Sequence, residues 1–384
     1  MNQPATWSPA AQALSLRQRI AALFGQEYDE TLWADWRWQM RHRLQRLEQF
    51  EQLLELSPKE RTGLARAGQR FAVAVTPHFA ALMDPRDPSC PFRRQVIPRE
   101  EELVTAPGDM LDPCGEETHE VVPGLVHRYP DRVLLLATDV CAAYCRYCTR
   151  SRLVSQGDLE ALPLRLAPIL EYLRQHTEVR DVLISGGDPL LFSDEKLDAL
   201  LAAIRSIPHV EFLRLGTRVV GFLPQRITPS LAAILRKHRV WLSLHFSHPK
   251  ELVPEVAAAC DTLADAGIPL GSQTVLLAGV NDDAATLREL FVGLLRLRVR
   301  PYYLYQCDPV VGTSHLRTPI AKGLELMGQL RGFITGYAVP TYVVDAPGGG
   351  GKIPLQPETI VAHQGDTWVL RNWAGKLVTY RDPS

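Results

Sequence analysis

The sequence predicts an α/β fold in which repeated β–α units build a parallel, barrel-like sheet behind an N-terminal helical region. Apolar strand-like runs at 133–137, 182–185, 212–216, 241–246, 270–277, 301–305 and 341–344 alternate with helical stretches at 162–176, 193–207, 229–238, 254–266 and 284–297. The residues of chemical character, namely three cysteines, Gly186-Gly187-Asp188, His245, Gln273, Asp308 and Asp345, fall at or just beyond the ends of these runs. Parallel barrels carry their catalytic groups on the loops after the strands, so scattered surface polar residues would not align this way.

The elements before the barrel are read in order. Apolar residues at helical spacing, with Arg and Glu between them, predict a helix over 32–56. Its Trp33, Trp36 and Trp38 suit core or interface packing better than cofactor contact. Ser57-Pro58-Lys59-Glu60 then supplies an N-cap, a proline at the first helical position and a glutamate three residues on, the pattern of a capping box opening a second helix. Between 83 and 123 the chain turns rich in Pro, Asp and Glu, which predicts an extended connection.

Composition bounds the function. With 384 residues and 46% hydrophobic content the chain can bury a sizeable core. Lys+Arg number 42 against 43 Asp+Glu, which disfavours nucleic acid and anionic membrane as partners. Seven cysteines, an odd number with three clustered, suit a reducing compartment better than a disulfide framework. The first residues lack the charged-then-apolar order of a signal peptide and no apolar run approaches a membrane span, so a cytoplasmic location is expected.

Cys141, Cys145 and Cys148 are spaced C-x3-C-x2-C directly after a predicted strand. Three thiolates are one ligand fewer than a [4Fe–4S] cluster needs, which leaves one iron open to a substrate or cofactor. Buried structural thiols are the plain alternative, but Tyr144, Arg146 and Tyr147 between the cysteines argue against it. A zinc site would want a fourth Cys or His, and none lies close downstream.

Near the C-terminus Lys352 follows four consecutive glycines, 348–351. Such a run is costly to order and suggests that backbone approaches something flat or anionic. It does not fit a P-loop, because the first glycine of that motif is missing and Ile353 replaces the hydroxyl residue. An amine placed there could instead form a Schiff base with an aldehyde such as pyridoxal phosphate, or be a solvated lysine in a flexible loop.

The cysteine spacing with its flanks resembles the radical SAM superfamily, in which the open iron binds S-adenosylmethionine. More specifically, the chain resembles the lysine 2,3-aminomutase family over nearly its whole length, through WADWRWQMRHRL, HRYPDRVLLL, SGGDPL, LPQRIT, LADAGIPLGSQTVLLAGVND, RVRPYYLYQCD and DAPGGGGK in this order. The resemblance implies a partial (βα)6-type radical SAM barrel over 111–350, preceded by a helical region and extended connection over 1–110. It is followed by a segment at 351–384 that completes the pyridoxal phosphate site. It further implies that Cys141, Cys145 and Cys148 hold the cluster and that Lys352 carries pyridoxal phosphate. Arg128, Tyr129 and Arg132 would hold that cofactor, and Ser185, Gly186, Gly187, Asp188, His245 and Gln273 would contact S-adenosylmethionine. Two guanidinium groups suit a phosphate, although a salt-bridged strand edge would use the same residues, and a lone His after a strand is commonly structural.

For the substrate, the resemblance assigns Arg150 to an amino-acid carboxylate and Asp308 with Asp345 to the ε-ammonium of lysine. Two carboxylates compensate a cation in a closed site, which disfavours glutamate and leaves arginine as the harder alternative. The implied activity is transfer of the α-amino group of lysine to the β-carbon, with an electron donor such as flavodoxin or ferredoxin. Well-known members carry a cysteine-rich, zinc-binding tail and a partner cysteine after GVND, where this chain has Asp283, so no zinc is expected and a homodimer is the default. The rival readings are the same shift on arginine or another amino acid, a noncatalytic iron–sulfur regulator, and modification of a lysine on a translation factor. A regulator has no need for the intact lysine and substrate set, and the resemblance places the last reading lower because members of that branch lack the intact DAPGGGGK form and are shorter at the N-terminus.

Overall fold

The computed structural model describes residues 9–66, 70–154 and 161–383. Residues 1–8, on which the expectation of no signal peptide rests, lie outside them.

Among the described residues ten strands form one sheet in strictly sequential order. They are β1 (Glu120–Val122), β2 (Leu125–Tyr129), β3 (Arg132–Thr138), β4 (Asp181–Gly186), β5 (Phe212–Thr217), β6 (Val240–His245), β7 (Leu270–Leu276), β8 (Arg300–Gln306), β9 (Thr341–Ala346) and β10 (Gly351–Leu355). β3 through β9 pair in parallel, while β1, β2 and β10 add antiparallel edges. Helices Leu162–Gln175, Asp194–Arg205, Pro229–Lys237, Pro254–Asp265 and Ala284–Arg296 connect the parallel strands. Alternation of burial drives the arrangement. In β7, for example, Leu270, Ser272, Thr274 and Leu276 are buried while Gly271, Gln273 and Val275 are half-buried on the opposite face, so one face meets the helices and the other faces a cavity.

The predicted strands and crossover helices fall within two residues of the observed ones. The predicted 32–56 helix is instead three pieces, Glu30–Ala34, Trp36–Arg41 and Leu47–Leu53. Asp35 ends the first and caps the second by accepting the Arg37 amide, and Leu44 leaves helical geometry to bridge with Val75. The Ser57/Glu60 capping box is present, with the Ser57 amide donating to Glu60 Oε2 at 2.8 Å. Glu60 also forms a fully buried pair with Arg93 at 2.6 Å.

The stretch 83–123 is not merely a connection. It contains the helix Pro91–Val96, buries Phe92, Val96 and Ile97, and delivers Glu102 and Glu116 to the site. The helix Ile320–Leu330 and the edges β1, β2 and β10 were not anticipated. Nor was a separate exposed sheet of β11 (Ile360–Gln364), β12 (Thr367–Arg371) and β13 (Leu377–Arg381). None of the described helices is long and apolar enough to cross a membrane.

Candidate active site

The loop after β3 carries the three cysteines and is seated from outside the sheet. Arg43 donates to the Cys141 carbonyl at 2.7 Å, the Tyr144 amide to Ala74 at 3.1 Å and the Arg146 amide to Gln95 at 2.9 Å. The Arg146 guanidinium is buried against Glu102, 2.6 Å apart. Phe71, Tyr144 and Val154 pack around Cys141 and Cys148, while Tyr147 and Leu277 pack near Cys145. Helical region and proline-rich stretch together therefore fix a loop too short to build its own core.

All three cysteines are unbridged. Among the described residues no three Cys, His, Asp or Glu side chains converge on a point that one metal ion could share. A four-iron cluster makes no such demand, because each thiolate meets its own iron. Burial pushes the Cys148 thiol up to about 11 and the Cys141 thiol well above its ordinary value, so iron binding there would displace protons. The donor chemistry fits the cluster.

Every site residue anticipated from sequence lines one cavity of about 700 Å³, to which all strands from β2 to β10 contribute. On its β9–β10 side the chain makes a tight return. Gly348, Gly349 and Gly351 have φ of +74°, +85° and +84°, and a Cβ on Gly351 would stand 3.0 Å from the Tyr129 hydroxyl, so the flat neighbour expected of the glycines is a phenol ring. The Lys352 amide donates to that hydroxyl at 2.9 Å, and its ammonium lies 3.0 Å from Asp345 Oδ2. Arg128 reaches Asp345 Oδ1 at 3.1 Å, while the guanidinium of Arg132 stacks 4.0 Å from the Tyr129 ring centre. A lysine amine, two guanidinium groups and aromatic faces fit the aldehyde, phosphate and ring of pyridoxal phosphate.

At the strand ends on the cysteine side, Gly187 and Asp188 extend the backbone ladder to Thr138 and Val140. The Asp188 carboxylate turns into the protein, accepting the Thr217 hydroxyl and the amides of Leu190, Arg218 and Val219. Burial raises it to about 6 against those four donors. Its part is to tie the loop after β4 to the loop after β5, leaving the backbone of Gly186 and Gly187 to the cavity. His245 stacks on Tyr147 with ring centres 5.7 Å apart, and burial with the nearby Arg218 charge keeps it neutral.

Arg150 is engaged by Glu116 at 2.8 Å and approaches Ser185 Oγ at 3.4 Å. Asp308 lies deep in the cavity wall, where burial and the Asp345 charge raise it to about 7. Glu116, Arg218, Tyr147 and Cys114 line the same space and were not anticipated. Arg218 directly follows β5, so the strand-end rule applied to it too, whereas nothing in the sequence around Glu116 marks it.

A sequential parallel sheet whose first parallel strand leads into a C-x3-C-x2-C loop, with a cavity along its inner face that the loop helps to line, defines a radical SAM enzyme; the radical SAM superfamily model matches residues 135–291. Within that class a lysine-2,3-aminomutase model matches residues 327–384. The L-lysine 2,3-aminomutase of Clostridium subterminale is 50% identical over 91% of this chain and 85% of its own length. That of Fusobacterium nucleatum subsp. nucleatum is 48% identical over 91% and 83%. A glutamate 2,3-aminomutase of Clostridioides difficile is 40% identical over 95% and 86%. The chain belongs to the lysine 2,3-aminomutase family. These are isomerases that use a [4Fe–4S] cluster, S-adenosylmethionine and pyridoxal phosphate.

Proposed function

We propose that this chain moves the α-amino group of L-lysine to the β-carbon, giving β-lysine. The observation that carries the choice of lysine is the pair of carboxylates, Asp308 and Asp345, in one cavity with Arg150. An amino acid with a cationic side chain finds a guanidinium for its carboxylate and two acids for its far end, whereas a glutamate side chain would meet like charge.

When bound, the cofactors supply a one-electron cleavage that yields a hydrogen-abstracting carbon radical and an aldehyde that holds the migrating nitrogen. The chain's residues bind and orient. Cys141, Cys145 and Cys148 hold the cluster, and Ser185, the Gly186–Gly187 backbone, His245 and Gln273 seat S-adenosylmethionine, with Asp188 bracing that loop. Lys352 anchors the pyridoxal ring, and Arg128, Tyr129 and Arg132 hold its phosphate end. Arg150 fixes the substrate carboxylate, while Asp308 and Asp345 fix the distance of the ammonium from the reacting carbons.

A small low-potential carrier such as flavodoxin or ferredoxin is the electron donor that this chemistry suits, a homo-oligomer is the default assembly, and a cytoplasmic location accords with seven free cysteines. The test is an anaerobic incubation of reconstituted chain with dithionite, S-adenosylmethionine, pyridoxal phosphate and equal L-lysine, L-arginine, L-glutamate and L-alanine, read by mass spectrometry. β-Lysine alone supports the assignment. A different β-amino acid overturns the pocket reading and leaves the chemistry standing.

A further inference from the structure

Arg218 stands directly after β5 and is only 7% exposed. One terminal nitrogen lies 2.7 Å from Cys145 Sγ and 2.6 Å from the Tyr147 hydroxyl. The other is bonded to the Gln95 side chain and faces Glu251 Oε2 at 3.7 Å, and the guanidinium carbon sits 4.0 Å from the Phe222 ring centre. Glu251 is itself anchored, its other oxygen accepting the Ser247 and His248 amides at 3.0 Å. None of the roles above uses this buried cation, since Arg150 is assigned to the carboxylate and Arg128 with Arg132 to the phosphate.

A cation this deep is costly unless its neighbours compensate it. An arginine guanidinium keeps its charge at any ordinary pH, and Glu251 is the carboxylate that faces this one. A planar fork is needed to reach a sulfur, a phenol and an amide together, which a lysine could not do.

Resting on the reading of Cys145 as a cluster ligand, we propose that Arg218 is a positioning residue for the iron–sulfur cluster, which raises its reduction potential through an N–H to the Cys145 sulfur and a fixed positive charge beside it. One electron from an external reductant makes the cluster more negative by one charge. A hydrogen bond to a ligating sulfur and an adjacent buried cation both favour that reduced form. Glu251 partly offsets the cation, so removing each should move the potential in opposite directions.

Wild type, R218Q, R218K and E251Q would be reconstituted, assayed for iron and sulfide, and titrated with dithionite without S-adenosylmethionine, reading the paramagnetic signal of the reduced cluster. R218Q should show at least a tenfold smaller reduced-to-oxidised ratio at fixed potential, a downward shift of 59 mV or more for one electron. R218K should recover part of it, and E251Q should shift upward. Wild-type midpoints in R218K and E251Q overturn the proposal even where R218Q takes up no cluster. An unchanged potential with weakened S-adenosylmethionine binding in R218Q also overturns it, reassigning Arg218 to that ligand. A wild-type chain that loads no four-iron cluster overturns the reading of Cys145 and this proposal with it.

Discussion

Lys352 on β10 and Asp345 on β9 are direct cross-strand partners in an antiparallel ladder, their side chains 3.0 Å apart. The proposed covalent anchor of the cofactor and one proposed acid for the substrate ammonium are therefore held at one spacing by backbone pairing. A slip of one residue would send either to the opposite face. Lys352 and Arg128 both direct their charge at the Asp345 carboxylate, at 3.0 and 3.1 Å.

Replacing Asp345 by Asn removes the acid that faces both Lys352 and Arg128. The fall in kcat/KM for lysine should be on the order of 100-fold, as for loss of one partner of a desolvated charge pair. Initial rates of β-lysine formation check this. A rate within threefold of wild type would remove Asp345 from substrate binding.

Asp308 sets a pH dependence. Burial and the Asp345 charge hold it at about 7, and only its ionised form pairs with a substrate ammonium, so kcat/KM should fall as pH drops through 7. The D308N variant should lose this acid limb along with most activity. Because the folded carboxyl is raised above its unfolded value, its stabilising contribution is full at acid pH, below the unfolded value near 4, and is lost as pH rises through 7. D308N should accordingly be the more stable chain at pH 8, by about 1–3 kcal/mol after allowance for the open cavity. Thermal melts at pH 5 and pH 8 measure the difference, and a pH-independent gap would contradict it.

Glu102 to Gln strips the buried Arg146 of its counter-charge under the cysteine loop. A loss of about 3 kcal/mol of stability is expected, together with fewer irons bound per chain after reconstitution. Denaturant unfolding and iron assay read the two effects. Full iron loading would show that the loop holds its shape without this support.

Two glycines should respond oppositely to alanine. A Cβ on Gly187 would lie 2.4 Å from the Val140 carbonyl oxygen, backbone against backbone, whereas one on Gly336 meets nothing within 4 Å. G187A should destabilise by about 2 kcal/mol or more and weaken S-adenosylmethionine binding, while G336A stays within ~0.5 kcal/mol of wild type. Equal melting temperatures for the two variants would refute the close approach.

Much of this was legible in the residues. Period-two and period-3.6 patterns located the parallel strands and crossover helices, because each buries one continuous face. The cysteine spacing with Lys352 marked the chemistry. The helix broken at Asp35 was misread because an aspartate that caps looks, in a pattern of spacing, like any polar residue on an exposed face. The three exposed strands after residue 355 had no buried face to impose a period on the sequence.

By itself, then, the sequence determined the α/β alternation, the cysteine loop and the strand-end placement of Gly186–Asp188, His245 and Asp308, whereas Gln273 lies within β7 and Lys352 within β10. These follow from local periodicity and from short motifs whose geometry is set within a few residues. Only tertiary structure decided that Lys352 faces Asp345, that Glu116 engages Arg150 from 34 residues away, and that Arg218 reaches Cys145 across 73. Such pairings depend on strand register and on which charges are buried together, and a buried charge selects its partner by proximity in space, which no local pattern encodes.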